Sequence, residues 1–167
     1  MGKEIERKFK VRGTGYKTGC ISSSVYKQGY LSTDKERTVR VRIAGERAFL
    51  TVKGKNCGTL RSEFEYEIPV SDAETMLGDL CLHPLIEKIR HIFISDDGHK
   101  WEIDEFGGEN EGLIVAEVEL GSQDEPVEIP EWCGEEVSGD IRYYNSNLIE
   151  HPYSVWKNTD EENCRHA

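Results

Sequence analysis

Apolar and polar residues alternate along most of this chain. In residues 3–12, Glu4, Glu6 and Lys8 fall on one parity and Ile5, Phe9 and Val11 on the other. Successive side chains of a β-strand point to opposite faces, so this segment reads as a strand with one charged and one largely apolar face. Residues 25–31 follow a Gly- and Ser-rich loop and read as a second strand. Residues 38–43 (T-V-R-V-R-I) alternate strictly, and 48–53 follow after Gly45-Glu46, which marks a hairpin. Residues 60–70 form one long alternating run. Pro84 restarts an extended segment over 85–94, the turn signal Asp96-Asp97-Gly98 precedes a strand over 100–106, and 113–120 is the last long strand. Between them, Ser71-Asp72 reads as a helix N-cap, followed by helical spacing at Ala73, Met76, Leu77 and Leu80. After Gly121 the texture changes. Residues 122–130 predict one helical turn, 135–145 are mixed, and 146–150 predict a short helix ended by Pro152. The polar tail over 157–167 predicts disorder.

Roughly eight strands joined by short turns predict an α+β domain dominated by antiparallel sheet, because hairpins do not connect parallel strands. A length of 167 residues fits one domain, over 1–156, ahead of the tail. Charged residues make up 32% of the chain and hydrophobic ones 37%, so a core forms only if the charges are organised rather than scattered. The net charge of −11 argues against a nucleic-acid partner, whose phosphates need neutralising. It leaves room for a small polyanion in a local basic pocket. Five cysteines without a C-x-x-C pair point to reduced thiols rather than a disulfide framework or zinc site. With no apolar run near the roughly 20 residues that span a bilayer, and no signal peptide at the start, the expectation is a cytoplasmic protein without membrane attachment. A homodimer is left open.

The sign of the charges is more informative than their number. Arg40 with Arg42, Lys88 with Arg90, Glu102 with Asp104 and Glu117 with Glu119 each share one face of one strand. Thr51 and Lys53 share another, as do Arg61, Glu63, Glu65 and Glu67. An ordinary half-solvated sheet also has one polar face, but its signs are mixed. Like charges two residues apart repel unless a ligand or an oppositely charged strand compensates. A closed barrel with a polar interior satisfies the pattern, and eight strands suffice to enclose a small cavity. Arginines can grip phosphate oxygens bidentately, and carboxylates can hold Mg²⁺ or Mn²⁺, which prefer oxygen ligands. No Ser or Cys is seen beside a credible base, and the histidines lack metal spacing. His91 falls on the apolar parity with Ile89 and Phe93 and reads as structural.

The opening Glu4-Ile-Glu-Arg-Lys8 resembles the signature of the CYTH superfamily, the triphosphate tunnel metalloenzymes. The resemblance runs through Gln28-Gly-Tyr-Leu31, Arg40/Arg42, Lys53, Arg61 to Glu65, Glu87-Lys88-Ile-Arg90, Asp104, Glu117-Val-Glu119 and Gly139-Asp-Ile-Arg-Tyr-Tyr-Asn145. It implies a closed eight-stranded antiparallel barrel, a few short helices outside, and a C-terminal element closing one end. It implies metal held by Glu4, Glu6, Asp104, Glu117 and Glu119, and phosphate bound by Lys8, Arg40, Arg42, Lys53, Arg61, Lys88, Arg90 and Arg142. Lys8, Arg40, Arg42, Lys53, Lys88 and Arg90 carry the catalytic expectation. Glu63 and Glu65 are left open between support of the metal site and partnership with the basic wall, and the role of Glu102 is left open. The small bacterial members that look most like this chain imply Mg²⁺- or Mn²⁺-dependent hydrolysis of inorganic triphosphate. Adenylate cyclase, thiamine triphosphatase and a non-catalytic phosphate binder are the alternatives. Tyr30, Trp101, Tyr143 and Tyr144 are the rings that could meet a base, though packing is the simpler reading of each.

Overall fold

A computed structural model describes residues 3–157. Its strands are β1 (Glu4–Val11), β2 (Ser22–Ser32), β3 (Arg37–Ala44), β4 (Arg47–Gly54), β5 (Leu60–Arg61), β6 (Glu63–Ile68), β7 (Ile86–Ile94), β8 (Lys100–Phe106), β9 (Ile114–Glu119) and β10 (Cys133–Glu136). Every pairing is antiparallel, in the spatial order β10-β1-β9-β8-β7-β2-β3-β4-β6. The sheet curls until β5 reaches β1, where Glu4 lies opposite Arg61 and Ile5 opposite Leu60. Eight long strands thus make a nearly closed barrel, with β5 as the seam and β10 as an extra strand beside β1. The alternation over 60–70 predicts one strand, but the chain breaks at Ser62. The break lets one half pair with β1 and the other with β4, which is what brings the sheet round. The start of β2 also differs from expectation: Ser22 to Ser24 pair with Ile92 to Arg90, so the strand begins three residues before Val25.

The apolar parity faces outward and packs under short covering segments. Phe9, Trp101, Ile103, Ala116 and Val118 lie beneath Tyr16 of α1 (Tyr16–Gly19) and beneath Trp132. Trp132 meets Trp101 and Phe93 edge-on at 5.7 and 5.4 Å, a favoured arrangement for aromatic pairs. Val41 and Ala48 of β3 and β4 are covered by Ala73 of α2 (Val70–Thr75) and by Leu77. The 3₁₀ turn Ile141–Tyr143 and α3 (Asn145–Glu150) bring Tyr143, Leu148 and Ile149 against Tyr30, Ile86, Phe106 and Val115 at one end of the barrel. Cover on the outer wall is incomplete, leaving Val25, Phe64, Tyr66 and Ile89 exposed.

The covering helix departs from its sequence signal. It starts at Val70 with Pro69 as N-cap, not at Ser71, and continues as a π turn over Met76–Leu80. The wider turn rotates Leu80 off the packed face, where it is exposed, although Ala73 and Leu77 are buried as the spacing predicts. The helix lies close to β2. A Cβ at Gly29 would meet Leu77 of the helical segment at 3.1 Å, and Leu85 and Cys81 just after it at 2.8 and 2.9 Å. Gly29→Ala should therefore cost about 1–3 kcal/mol through overpacking. Chemical denaturation measures this, and an unchanged midpoint would show that the helix can simply slide outward.

Residues 122–130 hold no helix. The segment is pinned instead by carboxylates: Gly121 N–H donates to Glu125 Oε1 at 3.0 Å and Glu128 N–H to Asp97 Oδ2 at 2.7 Å. His99 links these two carboxylates, with Nε2 2.6 Å from Glu125 Oε2 and Nδ1 2.9 Å from Asp97 Oδ2. Glu125 and then Asp97 raise the His99 pKa above its ordinary value. A raised pKa means that this stabilisation is complete below the unfolded-state value and is lost as pH rises through the folded one. The melting temperatures of the wild type and of His99→Gln should differ most below about pH 6 and converge in mildly alkaline solution. A constant difference across that range would assign the histidine to packing alone.

Candidate active site

The charged parity lines the barrel interior. A cavity of about 560 Å³ is bounded by Glu4, Glu6, Glu117 and Glu119, by Glu63 and Glu65, and by Arg40, Arg42, Lys53 and Arg90, with Lys100, Glu102, Leu120 and Gly121 also on its wall. It continues into a narrow space of about 50 Å³ among Lys8, Arg61, Lys88, Tyr30, Thr38 and Asn56, bounded by Tyr144, Asn145 and Ser146 of the C-terminal segment. Strand order separates the signs. Around the wall, β6, β1, β9 and β8 are neighbours once β5 closes the seam, and they carry nearly all the carboxylates. β7, β3 and β4 carry Lys88, Arg90, Arg40, Arg42 and Lys53, with β2 between them contributing Tyr26, Gln28 and Tyr30 on the interior parity. An acidic arc thus faces a basic one.

Where the arcs meet, acid and base pair. Lys8 Nζ lies 3.2 Å from Glu117, and Lys53 Nζ lies 3.1 Å from Glu4 and 3.7 Å from Glu63. Arg40 and Arg42 both reach Glu65, at 3.5 and 3.6 Å, so this carboxylate occupies the position of an anion between two guanidiniums. Arg90 contacts Glu102. Deeper in, Asp104 is 1% exposed, and its oxygens accept from Lys88 Nζ at 2.7 Å and from Arg90 Nε and Nη2 at 2.8 and 2.9 Å.

The titration behaviour follows from this layout. Burial, then Glu117 and Glu4, hold Glu6 well above the ordinary carboxylate range. Burial, then Glu4, Glu63 and Glu102, also raise Glu119. Burial opposes the charge on Glu117, but Lys8, with Arg90 and Lys88, outweighs it and brings the group down to about 2. Burial likewise opposes the charge on Lys8, yet Glu117 and Glu6 together keep its pKa raised. On the basic side, burial, then Arg40 and Arg90, lower Arg42 to about 10. Burial outweighs Asp104 and lowers Lys88 to about 7, while Asp104, flanked by two cations, stays ionised.

Most residues expected to act together do line one lumen: Glu4, Glu6, Lys8, Arg40, Arg42, Lys53, Arg61, Lys88, Arg90, Glu117 and Glu119. Two do not fit their expected part. Asp104 is committed to Lys88 and Arg90 rather than open to a metal. Arg142 is a half-exposed side chain bonded to Asp140, with Nη2 2.8 Å from Oδ2, and lies outside the residues bounding the cavity. Among the described residues, no three His, Cys, Asp or Glu side chains already converge into a metal-ready group. Glu63, Glu65 and Glu102 prove to be partners of the basic wall. Trp101, Tyr143 and Tyr30 are buried packing rings, and Tyr144 lies over Lys8 and Arg61 at 5.5 and 5.8 Å.

A serine does sit beside a base, contrary to the sequence reading. Ser23 Oγ is 2.7 Å from His91 Nδ1, and His91 Nε2 is 3.1 Å from Glu105. The group lies on the outer wall, with the imidazole packed against Tyr16, so His91 remains structural. The sequence reading assigned no site role to Gln28, Thr51, Asn145 or Lys100, yet Lys100 bounds the cavity, Thr51 donates to Glu65, and Gln28 and Lys88 both donate to Asn145. Interior parity was the available signal for Gln28 and Thr51. Asn145 entered only as the last residue of the C-terminal motif, with no partner assigned.

Residues 2–153 match the CYTH domain. The inorganic triphosphatase of Acetivibrio thermocellus is 50% identical over 157 residues, spanning 94% of this chain and 99% of that one. The inorganic triphosphatase of Nitrosomonas europaea is 36% identical over 148 residues, spanning 87% and 95% of the two chains. The crystal structure of an inorganic triphosphatase superposes with a TM-score of 0.65 at 34% identity, covering 89% of this chain and 95% of the other. A barrel whose interior is divided between carboxylates and cations, matched along nearly its whole length, places the chain in the CYTH domain family.

Proposed function

We propose that this protein hydrolyses inorganic triphosphate to pyrophosphate and phosphate with the help of a divalent metal. The observation that carries the reading is the divided lumen. Cations spaced along one wall suit a row of phosphates, and carboxylates line the wall opposite. The two inorganic triphosphatases at 50% and 36% identity support the substrate. No aromatic ring bounds the wide part of the cavity among the described residues, so nothing there offers a nucleobase a stacking surface.

The acidic arc fits a hard cation, because Glu6 and Glu119 are raised by burial and by neighbouring carboxylates. That is an excess of negative charge which local lysines leave uncompensated. Glu4, Glu6, Glu117 and Glu119 would hold Mg²⁺ or Mn²⁺, which when bound neutralises phosphate oxygens and polarises the phosphoryl group. Arg40 and Arg42 exchange Glu65 for phosphate oxygens, and Lys8, Lys53, Arg61 and Arg90 add further donors. Charge that develops on the phosphoryl and leaving oxygens meets cations already in place. Water attacks the terminal phosphorus, and the bond to the bridging oxygen breaks as pyrophosphate leaves. Lys88, held by Asp104 and Asn145 beside the narrow part of the lumen, turns its remaining direction to the substrate's oxygens or to the attacking water. No covalent enzyme intermediate is needed. The reading includes a small-molecule substrate without nucleic acid, and action in the cytoplasm, in keeping with the free thiols of Cys20, Cys57, Cys81 and Cys133. No described helix is long and apolar enough to cross a membrane.

Turnover of inorganic triphosphate, thiamine triphosphate and ATP, each with Mg²⁺, with Mn²⁺ and with EDTA, tests the proposal. Inorganic triphosphate should be the fastest substrate, and EDTA should abolish the rate. Faster release of phosphate from thiamine triphosphate, or cyclic nucleotide from ATP, would move the substrate elsewhere. Tight binding without turnover under any metal would leave only a phosphate binder.

A further inference from the structure

We propose that Asn145 is a positioning residue for Lys88, so that the C-terminal segment is part of the reaction apparatus as well as a stopper. The inference rests on the triphosphatase reading above. Asn145 is the first residue of α3, and its Oδ1 accepts from Lys88 Nζ at 2.9 Å and from Gln28 Nε2 at 3.1 Å. Gln28 is fully buried, and its second N–H is directed to the Tyr30 hydroxyl at 3.2 Å. The orientation of both amides follows. An ammonium only donates, so Asn145 must turn its oxygen to Lys88, and Gln28 must then turn its nitrogen to that oxygen.

The consequence lies in the valences of the lysine nitrogen. Asp104 takes one N–H at 2.7 Å and Asn145 takes another. A tetrahedral nitrogen then has one remaining direction. It carries a proton when Lys88 is charged and a lone pair when it is neutral, and Lys88 borders the narrow part of the lumen. Asp104 alone would leave the amine free to rotate about a single contact. The second acceptor fixes the rotation, and being neutral it adds no negative charge to a cavity that receives a polyanion. The same segment also holds Lys8, whose Nζ donates to the Tyr143 carbonyl at 3.2 Å.

A double-mutant cycle in the full chain tests the role. Asn145→Ala should lower kcat/KM for inorganic triphosphate about tenfold in the wild-type background, since small misplacements at a reacting centre are expensive. In a Lys88→Met background the same change should cost less than about twofold, because there is no ammonium left to position. Equal losses in both backgrounds, or no loss in the first, would overturn the proposal. Asn145→Asp covers the case in which the alanine variant does not fold. It keeps the acceptor and its shape but adds a charge beside Lys88 and the bound polyanion, so it should raise KM severalfold and also lower kcat. An aspartate variant with unchanged KM and kcat would reduce Asn145 to a space filler. A wild-type protein with no turnover would sink the functional reading itself, and the positioning role with it.

Discussion

Asp104→Asn should destabilise the protein by about 3–5 kcal/mol, the usual result of removing one member of a buried ion pair. The substitution preserves shape and removes only charge. Lys88 and Arg90 then remain buried side by side, with no carboxylate between them. Arg90 keeps Glu102 as a charged partner, but Lys88 is left with neutral acceptors only, Asn145 and the new amide oxygen. Its ammonium, already lowered by burial and by Arg90, should lose its proton more readily still. Urea unfolding should show a lower midpoint with an unchanged slope, since the surface exposed on unfolding is the same. Activity should fall as well, because the position of Lys88 depends on this carboxylate. A loss below about 1 kcal/mol would mean that water already screens the pair, as it does for exposed ion pairs.

Glu6→Gln should lower turnover at least about 100-fold, in line with the loss of one preorganised electrostatic group. The same change should raise the melting temperature of the metal-free protein. Burial, Glu117 and Glu4 all disfavour the ionised form of Glu6 in the fold. For a carboxyl with a raised pKa, stability is complete below the unfolded-state value and declines as pH rises through the folded-state value. The stabilising effect of Gln should therefore be largest at neutral and alkaline pH and vanish in acid. Thermal unfolding in EDTA across that range, beside steady-state turnover with Mg²⁺, checks both halves. Near-normal turnover would remove Glu6 from the metal site. A less stable variant at neutral pH would show that the carboxylate is better compensated than its neighbours indicate.

These residues were legible before the structure because parity along a strand is a geometric property of the sequence. Once 38–43 is a strand, Arg40 and Arg42 must share a face, and the same holds for Glu117 with Glu119. Parity assigns a face but not a partner. By parity Asp104 groups with the other interior acids, and the register of β7 on β8 sets it beside Arg90. Ser23 meets His91 only because β2 begins earlier than its apolar residues indicate and runs alongside β7. The break at Ser62 carries no strong local signal, since Arg61 and Glu63 keep the alternation going across it. It is the closure of the barrel that requires it. Asn145 was out of reach for a different reason: its contacts come from a segment more than fifty residues away from Lys88 in the chain.

Tyr144, Asn145 and Ser146 of the C-terminal segment bound the narrow part of the lumen, and on the triphosphatase reading this shapes traffic. A substrate that enters from the wide part would have both products leave by the same side. The fragment nearer the wide part would then depart before the inner one. The inner fragment also occupies the ground that the next substrate must take, which makes clearance of the chamber part of every cycle. A longer phosphate chain would enter by one terminus only, with its remainder trailing into solvent.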